Sequence, residues 1–325
     1  MDSKEKITIY RIVYIAIGVV ISIPLACEYV MSGGDVLLWL AKVEELSGNW
    51  AVGHILSKWW LIVPALLRCA GMSITTVYRI YLLLIGVLTL FGAKLMFQQL
   101  FQEKLSVLFG VLFYVTCPYR LYVCYDKSDV AQMMIWLLVP FGVWAVTGIC
   151  RKDRKIRSVL GAVISFAGIC LLTADVLKGS LGAETFTPAL LLQDGYNVGQ
   201  FFSSWFYSAG HPGLGLGLLG AVLVLLWLRF TDKNVKIMKK YGVWAVLSAV
   251  MLVLSMGLSF CFGFASMALC VLGACGVEWA TKDERTFVKI AVPLMIFMAT
   301  IGNAVYMCNM LVYARTPMYL TDTLM

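Results

Sequence analysis

Long apolar runs separated by short polar, Gly- or Pro-marked breaks set the plan of the chain. The runs cover 7–31, 73–101, 105–116, 130–150, 158–176, 213–228, 241–256, 260–280 and 286–311. Most approach the roughly 20 apolar residues that a helix needs to cross a hydrocarbon core. The pattern predicts an all-α, polytopic transmembrane protein of about nine spans.

The breaks carry more detail. Ser32-Gly33-Gly34 ends the first run, and Asp35–Leu46 follows with helical spacing. Leu38, Lys42 and Glu45 share one face and Trp39, Val43 and Leu46 share another. This predicts an amphipathic surface helix with its apolar face in lipid. Gly48–Met72 holds Trp50, His54, Lys58, Trp59, Trp60, Pro64 and Arg68 around a short apolar stretch, as an interfacial or re-entrant segment would. The run from Leu105 closes at Cys117-Pro118, because the residue before proline is pushed out of the helical region. That span either begins earlier than Leu105 or continues past Pro118 with a kink. Gly213–Gly220 is glycine-rich but lacks the preceding strand of a dinucleotide site, so it reads as small-residue helix packing. Gly257-Leu258-Ser259 suits a tight turn between two spans.

Charge adds orientation. Lys and Arg gather at 4–6, 151–157, 229–240 and 282–285, each between apolar runs. By the positive-inside rule these blocks face the cytoplasm. The N-terminus is then cytoplasmic, the C-terminus outside, and 32–72, 117–129 and 178–212 lie on the outer face of the cytoplasmic membrane. The first run is long and lacks a good cleavage site, so it reads as an uncleaved helix. Composition agrees: 61% of the 325 residues are hydrophobic and 14% charged, against about 25% charged in soluble domains. The net charge of +8 follows from the loop placement and does not point to nucleic acid.

Candidate chemistry concentrates in Thr116–Asp129, where Tyr119, Arg120, Tyr122, Tyr125, Asp126, Lys127 and Asp129 interrupt two apolar runs. Two readings stand. One is an interfacial turn with an aromatic belt, ring in lipid and hydroxyl in water. The other is the rim of a site for an anionic lipid headgroup. Asp35 is either a helix cap or a catalytic base or metal-contacting acid. His54 is either solvated or a base or ligand. The ten cysteines and two histidines form no CxxC and no zinc spacing, so most cysteines read as small apolar fillers. A Cys117–Cys124 disulfide is an alternative. Arg79, Asp175 and Glu278 all fall near helix ends, which leaves little ionisable chemistry at mid-membrane depth for a transporter.

The order of parts resembles the bacterial GT-C glycosyltransferase-like membrane proteins, in particular the YfhO-type and 6-pyruvoyl-tetrahydropterin synthase-related membrane proteins. Their outer loop after the first helix reads roughly G-H-D-L-L-x-H-L-x-R-I-E. Here that place is held by Gly33-Gly34-Asp35-Val36-Leu37-Leu38-Trp39-Leu40-Ala41-Lys42-Val43-Glu44. Their third-helix end reads roughly L-Y-x-x-x-P-Y-R-L-x-D-L-Y-x-R-G-A-x-x-E, then Leu-Pro. Here it is Phe113-Tyr114 through Pro118-Tyr119-Arg120-Leu121, Tyr125-Asp126-Lys127 and Gln132, then Val139-Pro140. Tyr78-Arg79 resembles the aromatic-basic pair of their second helix. Gly34 and Trp39 replace the pattern's histidines, Lys127 its Arg and Gln132 its Glu.

The resemblance implies a single transmembrane domain over 1–325, with a GT-C-like half at 1–150 and further helices at 151–325. It implies transfer of a sugar from a polyprenyl-phosphate donor at the outer face, among membrane lipids. Asp35 would be the base, or the contact of a Mg or Mn ion. Arg120 with Lys127 or Arg79 would clamp the phosphate, Tyr119 and Tyr125 would meet sugar or lipid stem, and His54 would lie at the donor site. The alternatives are an inactive relative working beside a partner membrane protein, and a transporter or flippase for a lipid-linked substrate.

Overall fold

A computed structural model describes residues 12–19, 22, 36–50, 58–151, 155–181, 196, 198–201, 212–231, 235–283 and 285–313. All regular structure among them is helical. Residues 12–19 form helix. The helices that follow are α1 (Val36–Gly48), α2 (Ile62–Cys69, after a tight turn at Trp59–Leu61), α3 (Ile74–Leu100), α4 (Lys104–Val115), α5 (Pro118–Tyr122) and α6 (Val130–Cys150). After them come α7 (Lys155–Leu181), α8 (Leu216–Thr231), α9 (Val235–Ser255), α10 (Cys261–Lys282) and α11 (Thr286–Cys308). By length and composition, 5 elements among the described residues can cross a membrane: α3, Lys104–Lys127, α6, α10 and Thr286–Leu311. Ser158–Thr173, Leu216–Trp227 and Tyr241–Ser255 are apolar but shorter.

α4 and α10 form the centre. Every residue of α4 from Ser106 to Val115 is buried, as is every residue of α10 from Cys261 to Ala280 except Phe264. α3 packs on α4 and α6, and α6 pairs with α7. On the other side α8, α9 and α11 pack on α10. Small residues allow this close approach. A Cβ at Gly276 would overlap the Ala221 carbonyl oxygen, and one at Gly217 would stand 2.8 Å from the Thr300 Cα. The glycine-rich run at 213–220 therefore does pack helices. The turn at 256–260 joins α9 to α10 where Gly257-Leu258-Ser259 was expected to allow it.

The span that begins at Lys104 continues past Pro118. The chain breaks at Thr116 and extended Cys117, then resumes with Pro118 as the first residue of α5. Proline suits that position, since its missing N–H would be unpaired there anyway. A π-helical turn at Val123–Lys127 completes the element, and 94% of its most apolar window is buried. The reading of 118–127 as an aromatic belt with rings in lipid is thereby corrected: these residues are the second half of one largely buried element long enough to cross a membrane.

One internal proline is compensated by a tyrosine. Proline has no N–H, so the carbonyl four residues earlier loses its helical partner. Pro140 frees the Trp136 carbonyl, and Tyr114 Oη donates to it at 2.8 Å. The Trp60 carbonyl, in the turn before α2, likewise accepts from Tyr81 Oη. Both bonds are buried, where an unpaired carbonyl is costly.

α1 is the amphipathic helix expected after Gly34, but its apolar face meets protein. Val36, Trp39, Leu40, Val43 and Leu46 are buried. The Trp39 ring lies 4.9 Å from that of Tyr78 and 6.1 Å from that of Tyr81. Leu37 and Leu38 point outward instead. Helical periodicity marks an apolar face without saying whether lipid or protein covers it. α2 folds back against α1, tied by Arg68 Nε to Glu44 Oε1 at 2.7 Å and by Lys58 to Glu45.

Candidate functional site

The segment from Pro118 to Gln132 presents two different faces, because neighbouring residues on a helix turn point about 100° apart. Tyr119 faces α10. Its hydroxyl donates to Gln132 Oε1 at 3.1 Å. Its ring meets Phe262 edge-on, 5.6 Å between centroids, over the bare backbone of Gly263. Phe262 in turn stacks on Tyr196 at 4.2 Å and on Phe201 at 5.6 Å. The Tyr196 amide donates to the Ser255 carbonyl at 2.9 Å. Part of the 178–212 segment thus folds onto the start of α10, beside Tyr119.

Arg120 faces the other way. It is 4% exposed, and Nη1 donates to the Val115 carbonyl at 2.7 Å. The break at Pro118 explains that bond. α4 ends there, its last carbonyls have no following turn to accept from, and the guanidinium caps one of them. A guanidinium carries five N–H donors, and this is its one hydrogen bond among the described residues. No described carboxylate lies within ion-pairing distance of it. Arg120, Tyr125, Cys124, Met133, Ile85 and Ser22 help to bound a cavity of ≈ 20 Å³. That is room for one water, and a phosphate group is larger. Tyr125 is buried.

The end of the segment is more open. Ser128 takes a left-handed conformation (φ 54°) that turns the chain into α6. Asp129 caps α6, accepting from the Gln132 amide at 3.0 Å, as carboxylates at a helix start do. Lys127 Nζ stands 3.7 Å from Asp129 Oδ2. Gln132 is 4% exposed, and among the described residues its Nε2 has no partner, nor has the buried Ser128 hydroxyl.

Of the residues singled out by sequence, the structure gathers Arg120 and Tyr125 on one cavity. It puts Tyr119 on the opposite side with Gln132, and Lys127 at the segment's rim. Tyr119 and Tyr125 are buried rather than interfacial. Arg79 is half-buried on the first turns of α3; its Nε has no partner, and no ion pair or hydrogen bond joins it to the Pro118–Gln132 segment among the described residues. Asp35 and His54 lie outside the described residues, as does most of 178–212. Asp35 immediately precedes Val36, the first residue of α1.

Sequence reasoning placed no ionisable group deep in the bundle, and Arg120 corrects that. It also took no notice of the Tyr114 hydroxyl or of Phe262. Tyr114 had a readable signal, a proline-freed carbonyl in need of a donor; Phe262 had none beyond being aromatic. Cys117 and Cys124 are both buried and free, which removes the disulfide between them. Among the described residues no group of three or more His, Cys, Asp or Glu could hold a metal ion. No family model, no curated protein and no solved structure matches the chain.

Proposed function

We propose that the chain is a GT-C-like protein of about nine spans that works on a polyprenyl-phosphate-linked sugar at the outer face of the cytoplasmic membrane. Its N-terminus is cytoplasmic and its C-terminus outside. The observation that carries this reading is Arg120, a permanent cation buried in an apolar bundle with no described carboxylate beside it. A charge in that setting is expensive unless an anion neutralises it, and such residues mark substrate sites. A lipid phosphate supplies that anion, and the guanidinium matches phosphate geometry.

In transfer, the acceptor hydroxyl oxygen attacks the anomeric carbon and the bond to the phosphate oxygen breaks. The electron pair leaves with the phosphate, next to Arg120, and Asp35 takes the hydroxyl proton. Tyr125, which shares a cavity with Arg120, offers an aromatic surface to the sugar or the lipid stem.

A second reading has its own support. Gln132 cannot exchange a proton as the pattern's Glu could, which favours a relative that keeps the phosphate-binding cation without turnover. The purified protein in lipid, given labelled polyprenyl-phosphate hexose, decides between them. Release or transfer of sugar by the parent, lost in Asp35→Ala and Arg120→Gln, supports the enzyme. Donor binding without release supports the inactive relative. Neither binding nor release across several donors rejects both.

A further inference from the structure

A long apolar furrow runs along the outside of the bundle. It has a volume of ≈ 670 Å³ and lies between residues 15–19 and one face of α3, formed by Leu83, Val87 and Phe91. Tyr14 and Lys94 close one end and Ser22 the other. The Lys94 ammonium sits 4.8 Å from the centre of the Tyr14 ring. Ser22 also borders the small cavity at Arg120.

The dimensions name the occupant. Leu83 and Lys94 bound the furrow along α3, a rise of about 16 Å at 1.5 Å per residue. That is roughly half of the ~30 Å hydrocarbon core, the depth of one leaflet. The walls are apolar over this length and Val87 and Phe91 are more than half exposed, so the furrow opens to lipid. The one charged group on its lining is Lys94, and no ion pair involves it among the described residues. A ring below the ammonium leaves its other N–H directions free. On an α3 of 27 residues, Lys94 stands just under two turns from the helix end, close enough to snorkel to headgroup level.

We infer that this furrow is a binding site for an anionic phospholipid of a single leaflet, with one acyl chain along α3 and its headgroup phosphate on Lys94. The site is separate from Arg120 and does not rest on the glycosyltransferase reading. The chain's end reaches Ser22, and the headgroup lies at the opposite end of the furrow from Arg120.

Native mass spectrometry of the full chain, released from nanodiscs of equal phosphatidylglycerol and phosphatidylcholine, tests this. Retention of phosphatidylglycerol over phosphatidylcholine by about fivefold is expected, the effect of one surface lysine on an anionic lipid. Lys94→Gln abolishes the preference, Lys94→Arg keeps it, and Val87→Trp, which fills the furrow, lowers retention of both lipids. Equal retention by the parent overturns the inference. So does a preference that survives Lys94→Gln, or one that is lost in Arg120→Gln and kept in Lys94→Gln, which would put the headgroup at the other end. Lys94→Arg guards against misfolding as the cause of any loss.

Discussion

The bond from Tyr114 to the Trp136 carbonyl can be isolated, because its cause lies in a second residue. Pro140 leaves that carbonyl without a helical donor, and Tyr114 is fully buried at the place where a donor is needed. Tyr114→Phe removes only the hydroxyl and leaves the carbonyl unpaired. A buried orphan acceptor costs about 1–3 kcal/mol, while side-chain hydrogen bonds inside membrane proteins average about 0.6 and reach about 1.7 kcal/mol. A loss of about 1–2 kcal/mol is expected. In a Pro140→Ala background the alanine N–H returns to Trp136, so the same Tyr114→Phe change becomes nearly neutral. A double-mutant cycle by equilibrium unfolding in mixed micelles should therefore give a coupling of about 1 kcal/mol. Equal losses from Tyr114→Phe in both backgrounds would refute the idea that the tyrosine serves the proline-freed carbonyl.

Tyr81→Phe should leave the buried Trp60 carbonyl without its side-chain donor, at a cost of about 1 kcal/mol; the same unfolding assay reads it. Gly276→Ala should destabilise by about 1–3 kcal/mol through overlap with the Ala221 carbonyl. This holds although alanine is the better helix former by up to about 1 kcal/mol, so a gain in stability would count against the close α8–α10 approach. The Glu44–Arg68 pair, with side chains 46% and 37% exposed, should show a coupling of under about 1 kcal/mol. A double-mutant cycle at low and high salt should find it shrinking as salt rises.

Much of this architecture was readable beforehand. The apolar runs at 73–101, 130–150, 260–280 and 286–311 became α3, α6, α10 and α11 with small shifts at their ends. Gly217 sat where close helix packing was expected. What could not be read was which apolar surface meets which. Trp39, Val43 and Leu46 make an apolar stripe whether lipid or protein lies beneath it, since lipid and protein interior are equally apolar. Pro118 misled for a related reason. It ends a helix in the chain, but α5 restarts at once and continues inward, so a polar segment that looked interfacial carries Arg120 into the bundle. At the candidate site the residue types were legible; the division between Tyr119 and Arg120 depends on a helical phase that a five-residue helix does not reveal in sequence.

Arg120 has two roles to separate, carbonyl cap and phosphate partner, and one binding measurement separates them. Polyprenyl phosphate and the uncharged polyprenol would each be titrated into parent and Arg120→Gln protein in lipid, with helix content checked by circular dichroism. Binding that needs the phosphate in the parent, and weakens at least about tenfold, or 1.4 kcal/mol, in a folded Arg120→Gln variant, is the expected result. Equal binding of phosphate and alcohol by the parent, or phosphate binding unchanged in a less stable Arg120→Gln variant, would leave Arg120 as a cap for Val115 alone and contradict the proposed site.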